Sequence, residues 1–219
     1  MQTTVAPAIQ LRPAMPGMGA AARAASSAPS DMEVLLARAG GTRRRVRRGE
    51  YLYRLGAPFH ALVTPEDGVV SAGGFATADD PDAGELWRRL ARLDPALAAR
   101  GISDEAEDAG GVAEALRAYA SGELTAIDAL PVAQPETPSR GEVWRALRRV
   151  PAGEAVTYTE LASLAGRPSA VRAAASACAN NLIALIVPCH RIVRTDGGLG
   201  GYLFGVELKR RLLALEGAI

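Results

Sequence analysis

Two residue types that perform nucleophilic chemistry stand side by side near the end of this chain. Cys189 and His190 are one of two cysteines and one of two histidines among 219 residues, and Arg191 follows them. A thiol attacks efficiently only as a thiolate, which requires a nearby base or cation. Because neighbouring side chains of an extended backbone diverge, contact between thiol and imidazole requires a turn at Pro188 or a bridging water. The residues alone leave three roles open for Cys189: the nucleophile of a hydrolase, an acceptor thiol, and a buried structural cysteine.

A run of apolar residues leads into this pair. The segment from Leu182 to Val187 is apolar throughout, which predicts a buried strand, and Pro188 lacks the amide donor that a central strand needs. We therefore expect Cys189 to lie where the backbone leaves a sheet. Any carboxylate that orients His190 must come from a distant part of the chain.

Two short helices are predicted before the apolar run. They extend from about Thr159 to Ala165 and from about Ser169 to Ala179, with the turn Gly166-Arg167-Pro168 between them. Two helices joined by a short turn that contains glycine are typical of a helix-turn-helix. The second helix carries small side chains and one long one, Arg172. Such a helix suits close approach to another backbone, including that of DNA, or tight packing on a neighbouring helix.

A glycine-rich loop and a last helix follow the cysteine and histidine. Gly197, Gly198, Gly200 and Gly201 precede Tyr202 and permit sharp turns or close approach of a flat ligand. Their spacing differs from that of nucleotide phosphate loops, which argues against nucleotide binding. Amphipathic helices are predicted from about Val206 to Leu215 and, with Ser139 as the N-cap, from Ser139 to Pro151.

The remainder of the chain divides into three segments by composition. Residues 1–30 are rich in Ala, Pro, Gly and Ser and predict a disordered extension. Residues 31–130 predict a small α/β domain with a short helix at 32–39, a β-hairpin formed by 61–63 and 69–75, and two later helices. Residues 131–138 read as a linker to the C-terminal domain, 139–219. The predicted fold class is mixed α+β, with a mostly helical C-terminal domain.

Composition limits the classes of function. The chain has no stretch long enough for a membrane span and no secretory signal pattern, so we expect it in the cytoplasm. Two cysteines and two histidines without metal-site spacing make a metal site improbable. The net charge of +1 conceals a division: residues 137–219 hold 11 Lys and Arg against 6 Asp and Glu, and the rest of the chain holds 14 against 18. A basic C-terminal part is compatible with an anionic partner. In the N-terminal part, the five arginines of 43–48 are interpreted as a solvated surface.

Three motifs stand in the last part of the chain: Pro188-Cys189-His190-Arg191, Gly198-Leu199-Gly200-Gly201-Tyr202 and Leu212-Leu213-Ala214-Leu215-Glu216-Gly217. Together they resemble the O6-alkylguanine-DNA alkyltransferases, also called methylated-DNA–protein-cysteine methyltransferases. The resemblance covers about Thr137 to Gly217. It implies a helix-turn-helix that binds the minor groove of double-stranded DNA with little sequence preference. It also implies a monomer that flips the damaged base and transfers its alkyl group to the cysteine once, without a cofactor.

The resemblance also implies roles for individual residues. Cys189 would accept the alkyl group, His190 would act through a water as the base, and Glu216 would orient that histidine. Asn181 would be the hinge between the recognition helix and the active site. Arg172 would fill the gap that the flipped nucleotide leaves, and Tyr158 would help to rotate its phosphate and assist the leaving guanine. Small residues of the recognition helix would dock on DNA, and further residues would form the base pocket: Ala170, Ala173 and Ser176 for docking; Tyr202, Gly200, Gly201, Val187 and Pro188 for the pocket.

Two other functions remain as alternatives. A non-enzymatic lesion-binding protein similar to the alkyltransferase-like proteins would commonly have tryptophan in place of Cys189. A thiol hydrolase would leave the helix-turn-helix unexplained. The lesion would be O6-alkylguanine, with O4-alkylthymine as a further candidate. Ser139 replaces a common aromatic residue of the family, and Leu203 stands in the pocket loop where smaller residues also occur, so both bear on the size of lesion accepted.

Overall fold

The computed structural model describes residues 44–47, 51–52, 57–63, 68–99, 102–103 and 111–219. The predicted extension at 1–30, the predicted helix at 32–39 and the hairpin turn at 64–67 lie outside the described residues. The described strands are β1 Arg44–Arg47, β2 Tyr51–Leu52, β3 Ala57–Val63, β4 Val70–Phe75, β5 Ile102–Ser103, β6 Val156–Thr157 and β7 Ile192–Val193. The described α-helices are α1 Gly84–Leu93, α2 Pro95–Ala98, α3 Val112–Ser121, α4 Pro138–Leu147, α5 Tyr158–Leu164, α6 Val171–Ala179 and α7 Val206–Glu216. This arrangement confirms the predicted mixed α+β class.

The N-terminal part is built on the predicted hairpin. Strands β3 and β4 pair antiparallel with Phe59 opposite Phe75, and β3 also pairs antiparallel with β1 and β2. Strand β5 is parallel to β1. All six residues of β4 are buried, and the strand packs against helix α1 and against Phe204 of the C-terminal part. The predicted helices that follow the hairpin are present, but Asp94 divides the first into α1 and α2 by accepting the amide of Leu97 as an N-cap.

The C-terminal part contains the predicted helix-turn-helix, formed by α5 and α6. Helix α5 begins with a capping box in which Thr157 and Glu160 satisfy each other's backbone amides. The predicted N-cap of α4 is wrong: Thr137 accepts the amide of Arg140, and Pro138 occupies the first helical position, which suits its fixed φ. The short strands β6 and β7 pair in parallel beside these helices.

The segment from Leu182 to Val187 is buried as predicted, but the predicted strand is wrong. Apart from a bridge between Ile183 and Gly73, the segment forms turns. Leu185 has a φ of 69°, a left-handed conformation that a strand does not contain. A one-turn 3-10 helix, Cys189–Arg191, follows directly. The reactive thiol therefore lies at the start of a tight helical turn instead of at the end of a sheet strand.

The two parts of the chain join through the edge of β4. The amide of Gly73 donates to Leu182 (2.8 Å) and the amide of Ala184 donates to Gly73 (2.7 Å). At the next residue, a Cβ atom on Gly74 would lie 2.4 Å from the ring of Phe204, so only glycine permits this approach. The turn that precedes Cys189 is thereby fixed against the N-terminal sheet. In the described ranges, no helix combines the length and the apolar character needed to cross a membrane.

Candidate active site

Cys189 borders a cavity of about 310 Å³ that is formed by both parts of the chain. Helix α1 contributes Arg89, helix α5 contributes Tyr158, and the last turns of α6 contribute Cys178 and Ala179. The turn after α6 and the glycine-rich loop complete the wall with Asn181, Ala184, Gly201, Tyr202, Leu203 and Phe204. The site is thus a concave pocket with a thiol in its wall, and its volume is within the range of small-molecule binding sites.

Two opposing effects act on the thiolate form of Cys189: burial disfavours it, and nearby donors and cations favour it. Burial raises the pKa of the Cys189 thiol. The side-chain amide of Asn181, 3.3 Å from Sγ, and the positive charges of Lys209 and Arg89 act in the opposite direction and lower that pKa. The thiol is therefore held mainly protonated in the free protein, with donors and cations arranged to stabilise the anion when a base removes the proton.

Asn181 holds the turn that carries the thiol. Its amide nitrogen donates to the carbonyl of Val187 (2.8 Å), and its oxygen accepts the backbone amide of Ile183 (3.1 Å). Gln134 completes the arrangement: it donates to the oxygen of Asn181 (3.1 Å) and accepts the amide of Leu182 (2.8 Å). The side chains of Asn181 and Gln134 thus form hydrogen bonds with backbone groups that the predicted strand at 182–187 would have paired within a sheet.

His190 and Arg191 are buried and share one carboxylate. His190 Nε2 lies 3.1 Å from Glu216 Oε1, while Arg191 Nε and a terminal Arg191 nitrogen donate to its two oxygens at 3.0 and 2.8 Å. A fourth side chain comes from helix α3, because the Tyr119 hydroxyl donates to Glu216 at 2.7 Å. Burial alone would raise the pKa of Glu216, but the hydrogen bonds and charges of His190 and Arg191 lower it to about 2. Glu216 is therefore ionised at neutral pH.

The ionised carboxylate determines the tautomer of His190. Burial lowers the pKa of His190, so the imidazole is neutral near pH 7, although Glu216 favours its charged form. A carboxylate only accepts, so Nε2 must carry the hydrogen of their bond, and Nδ1 retains its lone pair. Nδ1 is buried and has no hydrogen-bond partner within the described part of the chain. The imidazole can therefore take up a proton at Nδ1 while Glu216 stabilises the resulting cation.

Lys209 is a buried cation that no sequence motif identified as a site residue. Its ammonium group donates to the carbonyls of Ile192 and Leu199, which fixes the glycine-rich loop against β7. Burial lowers the pKa of Lys209, and the nearby cysteines raise it. The amphipathic pattern of α7 places this residue among its inward positions, but a lysine there would normally be read as a solvated side chain.

Helix α6 runs along the cavity with its predicted DNA-facing residues outward. Arg172 and Ser176 are exposed, while Ala170 and Ala173 are half-buried. Arg172 is one turn before Ala175, a residue of the cavity wall, so the two residues lie on the same side of the helix. Tyr158, at the first position of α5, lies in the cavity wall.

The predicted pocket residues separate into two groups. Tyr202 and Gly201 line the cavity, whereas Gly200, Val187 and Pro188 lie outside its wall. Tyr202 packs edge to face on His190, with ring centroids 6.5 Å apart, and on Phe204. Its hydroxyl is buried without a hydrogen-bond partner among the described residues. A polar ligand in the cavity could satisfy this hydroxyl, because an unpaired buried donor is costly.

Comparison with known proteins identifies the family. Residues 138–218 match the family model "6-O-methylguanine DNA methyltransferase, DNA binding domain". A methylated-DNA–protein-cysteine methyltransferase of Shigella flexneri is 44% identical over 112 residues, which are 51% of this chain and 66% of that protein. The crystal structure of Mycobacterium tuberculosis OGT in complex with DNA is 28% identical, with a TM-score of 0.61 over 80% of this chain and 93% of that one. A substituted form of the mycobacterial protein is 30% identical over the same shares, with a TM-score of 0.59.

The chain belongs to the O6-methylguanine DNA methyltransferase family. The matched segment spans slightly less than two thirds of the Shigella relative's own length. The family domain at 138–218 includes α4 to α7 and the residues of the candidate site named from sequence motifs, Cys189, His190, Glu216, Asn181, Tyr158 and Arg172. The family resemblance recognised in the sequence is thereby confirmed.

Among the described residues, no cluster of three or more His, Cys, Asp or Glu side chains could hold a metal ion.

Four further residues of this methyltransferase-family site were not found from the sequence. Arg89 and Tyr119 come from the N-terminal part, Gln134 comes from the predicted linker, and Lys209 comes from α7. In the sequence, Tyr119 stands at an apolar position of α3, spaced from Val112 and Leu116 like the inner face of a helix. No local motif marks any of the four, because each reaches the site through contacts between distant segments.

Proposed function

We propose that this chain, acting as a monomer, repairs DNA by transferring the alkyl group of O6-alkylguanine to Cys189. The observation that carries the proposal is the placement of the thiol in a cavity wall, one residue before a neutral histidine whose Nε2 is bound to an ionised glutamate. The family relatives, named for methyl transfer from DNA to a protein cysteine, support the same reaction. O4-alkylthymine is a further candidate lesion.

The reaction begins with removal of the thiol proton. His190 Nδ1 accepts that proton through a bridging water, and Glu216 stabilises the imidazolium. The Cys189 sulfur then attacks the alkyl carbon attached to O6 of guanine. The carbon–oxygen bond breaks as the carbon–sulfur bond forms, and its electron pair remains on the base.

The leaving base gains a proton and the protein keeps the alkyl group. Tyr158 is the candidate proton donor because it lies in the cavity wall. Burial and the nearby cysteines raise the pKa of its hydroxyl, so the phenolate that donation leaves takes up a proton readily, and the His190 imidazolium supplies that proton and becomes neutral again. The product is unmodified guanine and a thioether on Cys189. A thioether has no easy route of hydrolysis, so each molecule reacts once.

DNA binding follows from the helix-turn-helix. Small side chains on α6 allow close approach to the minor groove, and the exposed Arg172 is long enough to occupy the gap left by a flipped nucleotide. The relative solved in complex with DNA supports DNA as the partner. Contacts mainly with phosphate and groove shape would give little sequence preference.

The proposal is tested by incubating the full chain with a duplex that contains one O6-methylguanine. We expect one methyl group per protein, on Cys189, and restored guanine in the duplex. Trypsin leaves both cysteines on the single peptide 173–191, so tandem mass spectrometry must distinguish Cys189 from Cys178. Repeated turnover would indicate a hydrolase, and tight binding without transfer would indicate a lesion-binding protein; either result overturns the proposal.

A further inference from the structure

Arg89 is a cation from the N-terminal part that lies in the wall of the Cys189 cavity. It belongs to α1, is half-buried, and donates a hydrogen bond to the carbonyl of Ala179. These two residues are 90 positions apart in the chain. The proposed mechanism assigns Arg89 no role, and its neighbour Arg88 is an exposed residue paired with Glu85 at 3.1 Å.

Ala179 is the last residue of α6, so its carbonyl is part of the negative end of a helix. Unpaired carbonyls at a helix C-terminus carry partial negative charge and disfavour a nearby anion. Cys178 and Ala179 place this helix end in the same cavity wall as Cys189. Without a cation there, the thiolate needed for transfer would form beside a negative helix end in a partly desolvated pocket.

We propose that Arg89 is a positioning residue of this site, whose guanidinium caps the negative end of α6 and favours the anionic form of Cys189. The inference rests on the proposed function. Arg89 remains a cation at any ordinary pH, so its contribution does not itself titrate. Its charge also lowers the pKa of Cys189, in the same direction as Lys209.

Other polar groups face the thiol, and the test must separate Arg89 from them. Asn181 donates to the sulfur, and Lys209 is the second nearby cation. Tyr158, Cys178, Tyr202 and His190 bring their own ionisable groups from α5, α6, the glycine-rich loop and the 3-10 helix. None of these residues changes when Arg89 is replaced, so a shift in the titration of Cys189 reports on Arg89.

The experiment measures labelling of Cys189 by iodoacetamide as a function of pH, in the full chain without DNA. Arg89→Gln keeps hydrogen-bonding capacity but removes the charge, and Arg89→Lys keeps the charge. We expect the labelling midpoint of Arg89→Gln to rise by about half a unit, which slows methyl transfer at neutral pH about threefold. Arg89→Lys should stay within about 0.2 units of the wild type, since the charge is retained. Arg88→Gln is the matched control and should leave the midpoint unchanged.

The outcomes separate an electrostatic role from a structural one. If Arg89→Gln lowers thermal stability or DNA affinity while the labelling midpoint stays unchanged, Arg89 is only a helix cap and the inference is wrong. If Arg89→Gln does not fold, a midpoint shift of half a unit or more in folded Arg89→Lys would equally overturn it. Labelling needs no DNA, so failure of wild-type methyl transfer would reject the proposed function without deciding the effect of Arg89 on the thiol.

Discussion

The N-terminal and C-terminal parts of this chain contribute to the same site in different ways. The C-terminal part contains the thiol, the histidine and the glutamate, all within recognisable motifs. The N-terminal part contains no such motif, yet Tyr119 binds Glu216 and Arg89 binds the end of α6. One part therefore performs the proposed chemistry, and the other fixes the position and electrostatic surroundings of the reacting groups.

This difference explains why the sequence identified site residues in the C-terminal part and none in the N-terminal part. The reacting side chains belong to particular residue types in short sequence motifs, and such motifs can be recognised along the chain. Positioning requires only that a side chain reaches the right place, and the bond from Tyr119 to Glu216 spans 97 residues. Substitutions in the two parts should accordingly differ in kind: those in the C-terminal part should abolish or slow transfer, and those in the N-terminal part should weaken it moderately.

The largest effect is expected for the acceptor itself. Cys189→Ser should abolish methyl transfer, because a serine hydroxyl is a far weaker nucleophile than a thiolate. Cys178→Ser is the matched control: it lines the same cavity, burial raises the pKa of its thiol, and it should retain transfer. The measurement is methyl incorporation from O6-methylguanine duplex followed by tandem mass spectrometry. Transfer that survives in Cys189→Ser would show that the chemistry lies elsewhere.

Glu216→Gln should reduce the rate of transfer about a hundredfold, as expected when a general base loses its support. The carboxylate that stabilises the His190 cation would be gone, and Arg191 would lose its charged partner. Single-turnover rates, measured well below the melting temperature, test this. Glu207→Gln, an exposed change on the same helix, should leave the rate unaffected.

The same variant tests a pH dependence of stability. The pKa of Glu216 is about 2 in the folded protein, against an ordinary value of 4.5, so its contribution to stability is present above pH 4.5 and is lost as pH falls towards 2. The full contribution is roughly 3 kcal/mol. Urea unfolding between pH 5 and pH 3 should show about half of this loss in the wild type and a smaller loss in Glu216→Gln. Equal slopes would contradict an ionised, buried Glu216.

Much of the fold was predictable because its signals are local. The hairpin follows from two apolar runs that flank a turn, and the helices follow from apolar spacing and from the glycine turn at Gly166. The strand predicted at 182–187 failed because six apolar residues fit a buried turn as well as a strand. What distinguished the two was Asn181, whose amide replaces strand pairing with bonds to Val187 and Ile183.

The site was predictable only where the residues belong to motifs. Glu216 could be named because it stands in a recognisable C-terminal segment, whereas Tyr119, the partner of that carboxylate on α3, could not. Gln134 shows the limit most clearly. In the sequence it is one polar residue of a proline-containing connection, and in the structure it holds both Asn181 and Leu182.

Arg172→Ala should affect duplex repair more than reaction with a free base. An exposed arginine that fills the gap left by a flipped nucleotide offsets an unstacking cost of a few kcal/mol. We expect about a tenfold loss of rate with O6-methylguanine duplex and little change with free O6-benzylguanine. Arg194→Ala, which removes another exposed arginine from the same part, serves as the control. Equal losses on both substrates would assign Arg172 to the pocket and not to base flipping.

Tyr119→Phe should give the smallest effect and tests the positioning role of the N-terminal part directly. It deletes one buried hydrogen bond to the Glu216 carboxylate, while His190 and Arg191 remain bound. The free energy of unfolding should fall by about 1.5–3 kcal/mol, as expected for a hydrogen bond to a charged group, and transfer should slow a few-fold. A double-mutant cycle with Glu216→Gln isolates the contact, because the two changes should be strongly non-additive if the residues interact. Additive changes would mean that α3 does not hold the carboxylate, and the distinction between a reacting part and a positioning part would then rest on Arg89 alone.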